Sequence, residues 1–155
     1  MESGNEYDVS ATGMTDPLTL PWVHKPTGEF TQYTFENKGV THIYVQGDDN
    51  NTYQYQEYVS YGESGQNDAW MDVHGSLNNA AQGQLGDFNE SDIEISGSEN
   101  VITTSQLGDS NIAGIVLSGS DNCVAGIEQT GDFNDANILQ SGVNNIAITV
   151  QQPLP

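Results

Sequence analysis

The sequence predicts an all-β chain: a β-solenoid of 22-residue, two-strand coils, each made of two 11-residue half-repeats, preceded by an extended N-terminal arm. Three observations point there. A Gly-x-x-Asn group recurs at near-constant spacing, the runs between the groups alternate in character, and the groups themselves alternate between two kinds.

Residues 1–28 carry Pro17, Pro21 and Pro26 without sustained alternation, and read as an extended arm. In the next region, 29–66, the stretches TGEFTQYTFEN (27–37), VTHIYVQ (40–46) and TYQYQEYVSYG (52–62) alternate as strands do, and the second of them runs into GDDN (47–50). These are irregular first coils. NDAWMDVH (67–74) is an Asn plus seven residues leading into Gly75, so the regular solenoid spans 67–152.

The groups run Gly75 to Asn78, Gly86 to Asn89, Gly97 to Asn100, Gly108 to Asn111, Gly119 to Asn122, Gly131 to Asn134 and Gly142 to Asn145. Their glycines step by 11, with a single step of 12. Each seven-residue run suits a strand of roughly 23 Å at about 3.3 Å per residue. The second position after each Asn holds Ala80, Ser91, Ile102, Ala113, Val124, Ala136 and Ala147. With the extra residue of CVAGIEQT (123–130) read as a bulge near Gly126, the fourth position holds Gln82, Ile93, Thr104, Ile115, Ile127, Ile138 and Thr149. The sixth holds Gln84, Ile95, Gln106, Leu117, Gln129, Gln140 and Gln151.

These three columns contain no charge, whereas Glu90, Asp92, Glu94 and Asp135 all lie in the odd ones, so the even columns face inward. The Asn of each turn shares that parity. GD-type turns at 86, 108 and 131 alternate with GS- or GV-type turns at 97, 119 and 142, which makes the coil two strands long. Gly supplies the positive φ such corners need and Asn tolerates it. Gln and Asn stacked in register, at about 4.8 Å per coil, can pair their amides from coil to coil.

NNAAQGQLGDFN (78–89) and NDANILQSGVNN (134–145) carry the pattern Asn-x-Ala-x3-Gln-x-Gly-x2-Asn, and NIAITVQ (145–151) carries its first seven positions. Over about residues 67–152 the chain resembles the curlin repeat of curli fibre subunits. Ile95 and Leu117 stand where that pattern has Gln in alternate strands. The resemblance implies a stacked, amyloid-like β-solenoid and a secreted role in a biofilm matrix.

Composition bounds the function. Two Lys and no Arg face 22 acidic residues, for a formal charge of −20. Nucleic acid is not expected as a partner, because phosphate binding depends on basic side chains. Insertion into a membrane is not expected either, since no apolar run approaches about 18 residues. Residues 1–13 lack the basic and apolar regions of a secretory signal, which predicts either a protein that does not use that route or a mature segment. Cys123, the single cysteine, reads as a buried thiol, with no disulfide framework.

Little catalytic chemistry is legible, and the chain is expected not to be an enzyme and to need no cofactor. His24, His42 and His74 have no metal-ligand spacing. Glu90, Asp92 and Glu94 share one strand face and read as solvated. The column Asp87, Asp109, Asp132 is a weak calcium candidate: carboxylates about 5 Å apart repel by only ~1 kcal/mol per pair in water, so no ion is required.

The outward columns turn apolar late in the chain, at Ile112, Val116, Ile146, Ile148 and Val150, which predicts an interface, unless the arm folds back over them. These features predict a structural protein acting with itself and other subunits, most readily in a virion as a head-decoration or tail-associated component. The alternatives are a curli-like extracellular fibre subunit and a carbohydrate-binding solenoid whose stacking surface is Tyr33, Tyr44, Tyr53, Tyr55, Tyr58, Tyr61 and Trp70.

Overall fold

The computed structural model describes residues 6–12, 30–35, 40–57 and 66–153. Among them the chain is all β, without a helix: β1 (Glu6–Thr12), β2 (Phe30–Phe35), β3 (Val40–Gln46), β4 (Asn51–Glu57), β5 (Asp68–His74), β6 (Asn79–Leu85), β7 (Glu90–Ser98), β8 (Val101–Leu107), β9 (Ile112–Asp121), β10 (Val124–Thr130), β11 (Asp135–Val143) and β12 (Ile146–Gln151). Odd strands form one six-stranded sheet and even strands the other, each in sequence order. Between β3 and β4, and from β5 on, successive strands pass from sheet to sheet through the Gly-x-x-Asn corners, which makes the two sheets the walls of a β-solenoid. Its coils are 22 residues long through the regular part, and 28 residues long where β3 and β4 meet β5 and β6.

Every pairing is parallel except the first, in which β1 runs antiparallel along β3. Part of the predicted arm is therefore a strand at the start of the odd sheet. The rest of the arm, with Pro17, Pro21, Pro26 and His24, lies outside the described residues.

The two walls contribute different chemistry to one narrow core. The odd sheet stacks Ile43, Met71, Ile93, Ile115 and Ile138 in one column, all buried. Beside it run Val45, Val73, Ile95 and Leu117. The even sheet faces them with small residues and amides, among them Ala80, Ile102 and Ala125 in one column and Gln56, Gln84, Gln106, Gln129 and Gln151 in another. Ile95 and Leu117 stand in an odd-wall column of aliphatic residues, which ends in β11 at the buried Gln140.

Each glutamine of that ladder is bonded twice. Along the stack, Gln56 Nε2 donates to Gln84 Oε1 at 2.6 Å, Gln84 to Gln106 at 2.9 Å, Gln106 to Gln129 at 3.1 Å and Gln129 to Gln151 at 2.8 Å. Across the core, the same groups of Gln84, Gln106 and Gln129 donate to the carbonyls of Asp68, Glu90 and Ile112 at 2.8 to 2.9 Å. These bonds tie sheet to sheet and make burial of an amide tolerable, where an unbonded one would cost about 1–3 kcal/mol.

The corners explain the repeated four-residue group position by position. A Cβ on Gly75 would lie 1.8 Å from the carbonyl oxygen of Gly97 in the next coil, so only glycine fits there. The second residue supplies a short oxygen: Asp109 Oδ1 accepts the Asp87 N–H and Asp132 Oδ1 the Asp109 N–H, both at 2.9 Å. The third residue carries the left-handed φ, at Leu77, Phe88, Glu99, Ser110 and Phe133 among others, so the ladder Asn is itself ordinary in backbone. The fourth points inward: Asn89 Nδ2 donates to Asn67 Oδ1 and to the Gly108 carbonyl, and Asn111 repeats the pattern against Asn89.

One expectation about phase is overturned. The extra residue of the long repeat is not a bulge near Gly126 but sits at Gly119, where the odd sheet shifts register against both neighbouring strands. Gly126 is paired on both sides, to Thr103 and Ile148, so a bulge there would break two ladders. Gly119 lies at an exposed corner with φ +58 and open space around it. In consequence Val124 faces outward, and Asn122 takes the left-handed third position of the turn instead of the inward one.

Cys123 fills the vacated ladder position. Its N–H donates to Asn100 Oδ1 at 3.0 Å, its Sγ accepts the Asn145 N–H at 3.4 Å and lies 3.4 Å from the Gly142 carbonyl. The thiol thus stands in for an amide with weaker bonds. Cys123→Asn is expected to raise the melting temperature, by about 1 kcal/mol of added stability, and calorimetry of the two forms would register the gain. A lower melting temperature would contradict this reading of the ladder.

Candidate interaction surface

The outward columns divide by wall. On the odd wall the outer face carries Asp68, Asp72, Glu90, Asp92, Glu94 and Asp135 among its strand residues. The even wall carries only Glu57 and Glu128 from β4 to β12. The acidic charge of the strands is therefore concentrated on one face, and the other presents apolar and small polar side chains.

This division separates residues that the sequence suggested as one patch. Ile112 and Val116 lie on the odd wall, in β9, with Val116 half-buried. Ile146, Ile148 and Val150 lie on the even wall, in β12, and are exposed, Ile146 by 74% and Ile148 by 67%. Sequence reasoning missed Val101 and Val124, which stand in register with Ile146 on the even wall. The misplaced bulge had hidden Val124. It also missed Leu139, Val143 and Phe133, all exposed near the last coil.

A groove of about 360 Å³ crosses this even face, lined by Val101, Thr103, Val124, Gly126, Ile148 and Val150. Its floor exists because Gly126 has no side chain: a Cβ there would meet Thr103 Oγ1 at 3.3 Å. Along the strand edge, β12 has no partner on its far side among the described residues, and neither does β11. The described part of the arm, β1, lies at the opposite end of the odd sheet and does not cover these residues.

The described aromatic residues do not form one surface. Tyr44 and Trp70 are on the odd wall, where Trp70 stacks on His42 at 3.8 Å between ring centres, and Tyr44 meets His74 at 5.3 Å. Tyr53 and Tyr55 are on the even wall. The Tyr55 hydroxyl donates to the Glu57 carboxylate, and this bond, with some burial, pushes its pKa up to about 12. Tyr58, Tyr61 and the side chain of Tyr33 lie outside the described residues.

His74 bridges Asp72 at 2.9 Å and Gln46 at 3.0 Å, an arrangement complete in itself. The Asp87, Asp109 and Asp132 side chains occupy successive corners, and the oxygens of the latter two accept backbone N–H groups. Among the described residues no group of three or more His, Cys, Asp or Glu is arranged to hold a metal ion. Adding a chelator is expected to leave the melting curve unchanged; a drop in melting temperature reversed by calcium would contradict this.

Partial burial of Asp92, with repulsion from Glu94, Glu90 and Asp72, raises its carboxyl above the usual aspartate range. The folded state therefore holds this proton more tightly than the unfolded state. Its stabilising contribution is complete below the unfolded value and is lost as pH rises through the folded one. Asp92→Asn is expected to raise the melting temperature at pH 7, with the gain shrinking as pH falls through the raised folded value and gone below the ordinary aspartate value. Melts of both proteins across that range would reveal it, and a gain independent of pH would rule out the electrostatic cause.

Compared with known proteins, the chain matches no family model and no curated sequence.

Proposed function

We propose that the chain is a non-enzymatic structural subunit of a discrete large assembly, a virion component of the head-decoration or tail-associated kind, docked through its last coil. The observation that supports this most is the difference between the two ends. Among the described residues the last coil offers unpartnered edges of β11 and β12, with exposed Leu139, Ile146, Ile148 and Val150 beside them. An open apolar strand edge is unfavourable in a free soluble protein and is ordinarily covered.

The start of the odd sheet differs, because β1 runs against the direction of the other strands of that sheet. An endless fibre built by stacking identical coils needs two ends that continue one parallel ladder. Here the odd wall changes direction at its first strand, which favours attachment at one end over propagation from both. The curlin-like repeat supports the alternative, a secreted fibre subunit of a biofilm matrix, since its Asn and Gln ladders are the device that holds such coils together.

Immunogold labelling of cultures from the source distinguishes these. Gold on intact particles supports the virion reading. Gold along extracellular fibres supports the alternative, and a label confined to soluble material overturns both.

A further inference from the structure

We infer that β12 pairs with β12 of a second copy of this chain, antiparallel across a twofold axis through Ile148. This rests on the reading of the last coil as the docking end and names what docks there.

The strand's sequence carries the inference. From Asn145 to Gln151 it reads amide, β-branched, small, β-branched, small, β-branched, amide, and is a chemical palindrome about Ile148. An antiparallel strand that pairs with its own copy needs that symmetry, because residues equidistant from the axis meet and share a face. Ile146 would meet the second copy's Val150, Ala147 its Thr149 and Asn145 its Gln151. Strands β7, β10 and β11 do not allow this. The same operation would set Glu90 against Glu94 in β7, Asp135 against Leu139 in β11 and Val124 against Glu128 in β10.

Backbone direction agrees. The Val124 N–H donates to the Asn145 carbonyl, so in this parallel pair Ala147, Thr149 and Gln151 turn their groups toward β10. Ile146, Ile148 and Val150 turn theirs to the open edge. Those are the three positions that the twofold would bring into hydrogen-bonded pairs. Asn145 and Gln151 sit at the ends of the inward column, where each would meet an amide of the other copy and extend the ladder.

Charge agrees as well. Asp135 is the last ionisable side chain, and residues 136–155 carry none, in a chain of formal charge −20. Two copies approaching by the outer face of β7 would bring Glu90, Asp92 and Glu94 together, a repulsion that disfavours association there. At β12 they meet apolar side chains against apolar side chains.

Sedimentation equilibrium of the full purified chain tests this. A species of twice the 16.7 kDa chain mass is expected. Ile148→Lys places two like charges across the axis without touching the core, and should weaken the dimer by about a hundredfold or more while leaving the β circular dichroism and melt intact. Ile146→Lys alone should weaken it too. Combining Ile146→Lys with Val150→Glu should restore it, because the antiparallel register sets those positions opposite each other.

A wild-type monomer at all concentrations overturns the inference, as does a dimer indifferent to Ile148→Lys or a double variant that is not restored. A monomer whose antibody still labels particles would leave the structural role standing with a different partner at β12. A β12 dimer absent from particles would leave this interface standing and remove the role.

Discussion

Gly75→Ala is expected to abolish the native fold or to cost about 4 kcal/mol or more, although it adds a single methyl group. That methyl would stand 1.8 Å from the Gly97 carbonyl oxygen and 2.7 Å from its carbon, both backbone atoms that cannot rotate away. Relief would require the coils to separate at that corner, breaking the Asn78 Nδ2 bond to the Gly97 carbonyl at 2.9 Å and the Glu99 N–H bond to the Ser76 carbonyl at 3.0 Å. The φ of +122 adds strain of about 1–3 kcal/mol for any residue with a Cβ. Gly83→Ala is the matched control: its methyl meets nothing within 4 Å, and it sits within β6. That change is expected to stabilise by about 0.5 kcal/mol through the unfolded chain. Urea titrations of the two variants would read the contrast, and similar losses in both would refute the steric explanation of the corner.

Asn89→Ala removes four bonds at once. The Asn89 amide donates to Asn67 Oδ1 at 3.2 Å and to the Gly108 carbonyl at 2.8 Å, and its oxygen accepts the N–H and Nδ2 of Asn111, both at 3.0 Å. The Asn67, Asn89 and Asn111 side chains are shut away from water in the narrow core, so solvent cannot replace the bonds among them. With about 1–3 kcal/mol for each orphaned group and partial relaxation around the small cavity, a loss of about 4 kcal/mol is expected. Because each coil rests on its neighbours, the damage should spread, with faster hydrogen exchange at Asn67 and Asn111 as well as at residue 89. A loss under 1 kcal/mol, confined to the substituted turn, would mean that the amide ladder is not what holds the coils together.

Period and parity were legible in the sequence because both have rigid physical causes. A glycine that touches the next coil and an amide that must find the next amide cannot drift, so both recur at the corners, apart from the one at 119–123, and mark the register. The alternation of charge and its absence exposed the inward face for the same reason. The eight-residue run was another matter. Its extra residue fits either inside the strand or at the corner as far as local pattern goes, and pairing on both sides of Gly126 decides for Gly119. That decision reversed the facing of Val124 and turned Cys123 into a ladder residue.

The candidate interface was legible only in part. Ile146, Ile148 and Val150 stood out as an apolar strand, but joining them to Ile112 and Val116 ignored that odd and even strands lie on opposite walls. Val101 and Leu139 went unnoticed because the nearest outward residue in each strand, Thr103 and Asn137, is polar, and only the stacking of strands sets them beside other apolar residues. The unlike ends of the solenoid were out of reach, since the antiparallel direction of β1 comes from a pairing across about 30 residues and leaves no periodic trace.

Electron microscopy of the purified full chain, held for days at high concentration with a thioflavin assay alongside, bears directly on whether this solenoid closes its assembly or propagates it. Discrete particles of uniform size, dark in thioflavin, are the expected result for a chain whose first strand reverses the ladder and whose last coil docks once. Long unbranched fibres with a repeat of about 4.7 Å along their axis would contradict it, and would mean that coils stack from chain to chain at both ends.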